Sequence, residues 1–139
     1  DIDGNVVSRE GYKNDKKNGL SETYYDNKKV AESFVFVDDK KVGPWLQFYD
    51  TGKPRAKGNY VDGSLQGEIM FYFPSGKPEV KGNYARGIMH GNWYFFDENM
   101  KVVKKQVWKF GTMVSQDPEE EKDESLKELE GNLPGEGGN

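Results

Sequence analysis

Cysteine is absent from this chain, and histidine occurs once, at His90. The first absence excludes disulfides and thiolate metal sites, and it leaves the redox compartment unread. The second leaves a lone imidazole without the partner groups that acid–base catalysis needs. Long apolar runs are also missing, since no stretch approaches the ~20 residues required to span a bilayer as a helix. Apolar residues make up only 34% of the 139 positions. With a mean hydropathy of -0.94, the chain is too polar for a deep two-layer core. The length allows one ordinary domain or a short repeat array.

Aromatics and glycine are abundant instead. Aromatics reach 14% and glycines number 17, which argues against simple disorder. Every aromatic lies between Tyr12 and Phe110. Residues 111–139 hold nine acids against two lysines, a balance of −7, which leaves +3 on residues 1–110. The net charge of -4 therefore combines a mildly basic body with a strongly acidic tail. The body lacks the dense Lys/Arg stripe of a nucleic-acid site, so no nucleic-acid partner is expected.

The strongest signal is a period of 24 residues. Gly19, Gly43, Gly67 and Gly91 keep it, as do Tyr12, Phe36, Tyr60, Tyr84 and Trp108. So do Tyr24, Phe48, Tyr72 and Phe96, the lysines at 29, 53, 77 and 101, and the set Trp45, Ile69 and Trp93. Five columns agreeing without a gap define a repeat array. Within one unit, 53–61 alternates as a strand, Asp62-Gly63 is a turn, 68–73 is a second strand, and Pro74-Ser75-Gly76-Lys77 turns again. Loops this short impose antiparallel neighbours. The fold class predicted is all-β, an elongated meander of about nine strands and roughly 40 Å. Residues 1–111 form the repeat domain, about four units plus a partial first one, and 112–139 the tail.

Such a sheet is held by its neighbours and by cross-strand aromatic pairs, each contributing about 0.2–1 kcal/mol relative to alanine pairs. Gly58 and Gly82 precede Tyr60 and Tyr84 by two residues. A missing side chain there is expected to admit a ring or side chain from Trp45, Ile69 or Trp93 over the backbone. The columns Phe36, Tyr60, Tyr84 and Trp108, and Phe48, Tyr72 and Phe96, read as packing. A single-layer sheet cannot bury both faces, however. On the second strands Trp45, Gln47 and Tyr49 point one way, Leu46 and Phe48 the other. An open aromatic face marks an interaction site. The candidate partner-binding surface is Trp45, Tyr49, Ile69, Phe71, Phe73, Trp93 and Phe95.

The unit resembles a MORN repeat in its bacterial variant form. The matching pattern, Gly-Asn-Tyr-x-x-Gly-x-x-x-Gly followed by an aromatic, runs from Gly58 to Tyr72 and again from Gly82 to Phe96. His90-Gly91 supplies the family's frequent His-Gly pair. The unit from Phe36 to Tyr49 keeps Gly43 and Trp45 but has Asp39 in place of glycine, and Ser21 stands where later units carry Trp or Ile. The resemblance covers roughly 3–111. It implies a binding or scaffolding module that is not an enzyme and takes no cofactor. It also associates the chain with antitoxin components of toxin–antitoxin systems, with cell-envelope proteins and with membrane-associated assemblies.

The ends read differently. Asp3-Gly4-Asn5 is in phase with the second turns of later units, so the chain opens inside a repeat. Its likeness to a calcium loop fails for want of a glutamate at the twelfth place. In the tail, Asp117, Pro118 and Glu120 fit the N-cap, first position and capping box of a helix over 118–130. The competing reading is a solvated acidic tail without secondary structure. Residues 131–139 have linker composition.

No convergent acid, base or nucleophile set is visible, and the glycines punctuate hairpins rather than phosphate loops. His90 is in register with Asn18, Val42 and Gln66, unrelated residues that argue against a shared metal or catalytic role. Three function classes remain. One is a protein-binding scaffold with an extended aromatic β-surface. Another is an antitoxin-type inhibitor. The third is an anionic-lipid binder using Lys57, Lys81, Lys104 and Lys105, a membrane surface being the weaker expectation. Open edges allow edge-to-edge pairing, and the oligomeric state is left unassigned. A start at Asp1 in place of Met gives the bacterial cell envelope, periplasmic or outer-membrane-associated, a slight preference over the cytoplasm.

Overall fold

The computed structural model describes residues 8–9 and 11–119, and these form an antiparallel meander with no helix. The strands are β1 Ser8–Arg9, β2 Tyr12–Lys13, β3 Lys16–Lys17, β4 Gly19–Tyr24, β5 Val30–Val37, β6 Lys40–Phe48 and β7 Pro54–Val61. They continue with β8 Ser64–Leu65, β9 Gly67–Tyr72, β10 Pro78–Ala85, β11 Ile88–Met89, β12 Gly91–Phe96, β13 Val102–Lys109 and β14 Thr112–Asp117. The main sheet runs β1-β4-β5-β6-β7-β9-β10-β12-β13-β14, so beyond β1 the long strands pair in chain order. The short strands β8 and β11 continue the hairpins of β7 and β10, and β2 pairs β3 separately. The all-β meander expected from the period is the fold.

Three backbone devices repeat in each unit. The first turn places two consecutive residues at positive φ: Asn14-Asp15, Asp38-Asp39, Asp62-Gly63, Arg86-Gly87 and Phe110-Gly111. That is the mirror-image hairpin turn whose twist matches the strands. The second turn has one such residue, Lys28, Gly52, Gly76 or Met100. The third device is the glycine column. Gly19, Gly43, Gly67 and Gly91 have φ of 97°, 69°, 86° and 81°, a backbone that β-carbon sterics disfavour. Each pairs with the aromatic of the following strand: Phe36, Tyr60, Tyr84 and Trp108.

The sheet extends beyond the boundary read at residue 111. Phe110-Gly111 turns the chain back, and Thr112–Asp117 forms β14 against β13. Asp117 therefore pairs with Lys105 as the last strand residue, and the two residues after it, 118–119, are not helical. Of the helix predicted over 118–130, residues 120–130 lie outside the described residues, as do the opening turn at 3–5 and the segment 131–139.

The core is one layer deep. Among the described residues, the buried apolar side chains are Tyr25, Ala31, Phe36, Ala56, Ile69 and Trp93. Ser21 and Ser33 are buried with them. Most other aromatics are half-buried.

Candidate functional site

Strand register assembles the candidate residues into rows across one face. The first row runs Ser21, Phe34 on the early strands, then Trp45, Gly58, Ile69, Gly82, Trp93 and Gln106. Large and small residues alternate, and the glycines act as expected. A β-carbon on Gly58 would stand 3.1 Å from Trp45 Cε3 and 3.2 Å from Leu65 Cδ2. A β-carbon on Gly82 would fall inside the indole of Trp93. The Trp93 ring also meets Tyr84 edge-on, at 5.4 Å between centroids and 84° between planes. Its Nε1 donates to the Asn83 carbonyl at 3.2 Å.

This packing corrects part of the sequence reading. Ile69 and Trp93 are 2% and 4% exposed. They fill the row rather than face a partner, because the glycines beside them let them lie flat on the sheet. Trp45 is half-buried, with Nε1 donating to Glu32 Oε2 at 2.9 Å. Ser21 in the first unit is the complement of Phe34: the small residue has moved to the second strand and the large one to the first. Phe34 is absent from the sequence-based set, although it stands in phase with Gly58 and Gly82.

The second row is the open one. Gln47, Ala56, Phe71, Val80, Phe95 and Lys104 lie side by side. Ala56 is buried, whereas Phe71, Val80 and Phe95 are half-buried and contiguous. Lys104 Nζ sits 4.5 Å from the Phe95 ring centroid, and Lys41 Nζ 4.1 Å from that of Phe34. Cations thus rest on aromatic faces at both ends of this face.

Tyr49 and Phe73 stand apart, one at each successive second turn. The Tyr25 hydroxyl donates to the Phe48 carbonyl, and that of Tyr49 to the Tyr72 carbonyl. Burial pushes the Tyr49 phenol above its ordinary value, and Glu79 and Glu98 add to the rise while Arg55 opposes it. Burial also raises Tyr60, with help from Glu32 and Tyr84. The lysine column belongs to the same end. Lys29, Lys53 and Lys77 each extend Nζ to a carbonyl of the next unit's turn: Thr51 at 3.0 Å, Ser75 at 3.3 Å and Glu98 at 2.8 Å.

The opposite turns are tied in a way that the residue types alone do not announce. Asn18, Gln66 and His90 look unrelated, yet each accepts a backbone N–H from the next unit's turn. Asp38 N–H donates to Asn18 Oδ1 at 3.2 Å, Arg86 N–H to Gln66 Oε1 at 2.7 Å, and Phe110 N–H to His90 Nδ1 at 3.1 Å. The shared property is a side-chain acceptor of similar reach, and only Val42 in this column lacks one. His90 also stacks on Phe110, with centroids 4.3 Å apart. Among the described residues, no group of three or more His, Cys, Asp or Glu side chains could hold a metal ion.

Residues 17–38, 41–62 and 65–85 match the family model described as MORN repeat variant. The chain is a MORN-repeat protein. The same two-residue positive-φ turn recurs past the matched segments, at Phe110-Gly111. No curated protein matches the sequence. Among solved structures, a mutant of S. aureus TarM in complex with fondaparinux, alpha-GlcNAc-glycerol and UDP is similar at 21% identity and a TM-score of 0.36. That likeness covers 71% of this chain and 21% of that one, so this chain spans about a fifth of that protein. At this score the similarity carries no argument. MORN repeats are generally associated with protein and membrane binding, and their all-β fold is typically non-catalytic.

Proposed function

We propose that this MORN array is a non-catalytic scaffold that binds a protein partner through its open aromatic row. One observation carries the reading: Phe71, Val80 and Phe95 form a contiguous half-buried strip on a one-layer sheet, flanked by Ala56 and Lys104. No second layer covers it among the described residues. Aromatic anchors beside a cation fit the composition of protein interface cores. An antitoxin-type inhibitor is a special case, in which the partner is a toxin protein. A bacterial cell-envelope setting is part of the same proposal.

The test compares the native chain with a Phe71→Ser/Phe95→Ser variant as bait in native extract, with folding checked by circular dichroism. A stoichiometric partner held by the native chain and lost by the folded variant supports the proposal. A partner held equally by both sinks it.

A second reading has its own observation. Lys57, Lys81 and Lys105 occupy equivalent positions on the other face, suited to an anionic lipid surface. Lys104 does not join them, because its register partner is Phe95 on the aromatic face.

A further inference from the structure

That other face carries a row that the aromatic-strip proposal does not use. Register sets Leu46 beside Lys57, then Met70, Lys81, Tyr94, Lys105 and finally Asp117. Lysine recurs on every second strand, about 9–10 Å apart. Lys57 and Lys105 lie over Tyr72 and Tyr94, at 5.6 and 5.7 Å from the ring centroids. Lys81 has Glu68 at 3.5 Å, an exposed pair that solvent screens. Residues 99–116 contain four lysines and no acid. The positive charge is therefore densest where the chain leaves the sheet.

The rest of the chain is opposite in sign. Residues 119–139 hold eight acids against two lysines, with Leu126, Leu129 and Leu133 among them. They leave from β14, whose last residue, Asp117, ends the lysine row. From Lys105 to Lys57 is four strand spacings, about 19 Å. Even at a helical rise of about 1.5 Å per residue, the 20 residues after Glu119 cover that distance. Tethering gives such a segment an effective concentration on the order of millimolar.

We propose that the acidic segment 120–139 docks on its own sheet, across the row Lys105, Lys81 and Lys57. Its carboxylates meet the lysines, and Leu126 and Leu129 cover Met70 and Leu46. The occupant of this face is intramolecular. It shields the lysines from other anions and leaves the aromatic strip on the opposite face free.

The chain has no cysteine, so Ser125→Cys places a nitroxide label at one position. Amide intensities are then read by NMR on the full-length protein, with the label oxidised and reduced. The expected result is intensity loss at Lys57, Lys81 and Lys105 and their cross-strand neighbours. The loss should vanish in Glu120→Gln/Glu121→Gln/Glu124→Gln, whose changes lie outside the described residues, and in about 0.5 M salt, where the Debye length is about 4 Å. Loss confined to 112–119 overturns the proposal. So does equal loss on both faces, or loss that arises only between labelled and unlabelled copies. Anionic vesicles provide a further arm: the tail-neutralised variant should bind them more tightly than the native chain, and equal binding overturns the proposal.

Discussion

Gly82 shows how one missing side chain supports a large one. Its backbone is the floor on which Trp93 lies, and a methyl group there has no room unless the indole leaves. Gly58 has a looser version of the same contact, with Trp45 and Leu65 just inside ordinary contact distance. Gly82→Ala is therefore expected to cost about 1–3 kcal/mol or more, the range for overpacking. Gly58→Ala should cost less than Gly82→Ala, and Gly58→Val several degrees of melting temperature. Thermal melts of the three variants check the order, and Gly82→Ala melting with the native protein would contradict the packing. These two glycines are legible in the sequence because they share a phase with each other and stand beside the large residues they receive. The burial of Ile69 and Trp93 is not legible there. Alternation assigns a residue to a face, but only the rings and strands around it determine whether it is covered.

At the scale of the hairpin, the period predicts what repeats and fails where it stops. In the internal hairpins the register slips by two residues around the glycine. In the last, it slips by one. Ser115 stands there, 24 residues after Gly91, without positive φ, and β14 runs through unbroken. Phe110-Gly111, in phase with Asp62-Gly63, is the sign of that extra strand in the sequence, but an apparent helix start at Asp117 competes with it. The acceptor column is hidden for a different reason: Asn, Gln and His are dissimilar residues with one hydrogen-bonding capacity in common. His90→Gln should keep the last hairpin intact, because Gln66 already performs that role. His90→Ala should lose both the Phe110 N–H bond and the ring stack, costing about 1 kcal/mol. Hydrogen exchange at Phe110 and Gly111 separates the two: exchange rising in the alanine variant alone is expected, and equal rates would remove the role.

The whole molecule stands on neighbours rather than on a centre. Each unit's carbonyls accept from the preceding unit's lysine and tyrosine and from the next unit's turn N–H, so stability is spread along the array. Its response to alkali comes from two of those units. Tyr49 and Tyr60 hold their protons above the ordinary 10.0 once folded. Below that value both states are protonated, and their contribution is fully present. Above it the unfolded chain ionises first, and stability falls as pH rises toward the folded values. Denaturant midpoints should therefore drop as pH rises through and above 10.0, and Tyr49→Phe should reduce the drop. A flat profile would contradict the burial of both phenols. The gapless period has a further consequence for the length of the array. A residue added inside a strand exchanges the aromatic and lysine faces for everything downstream. Twenty-four residues added at a turn leave each contact facing one of its own kind. Length in this architecture is quantised: it changes by whole units, with the pairing rules untouched, or it turns the sheet inside out.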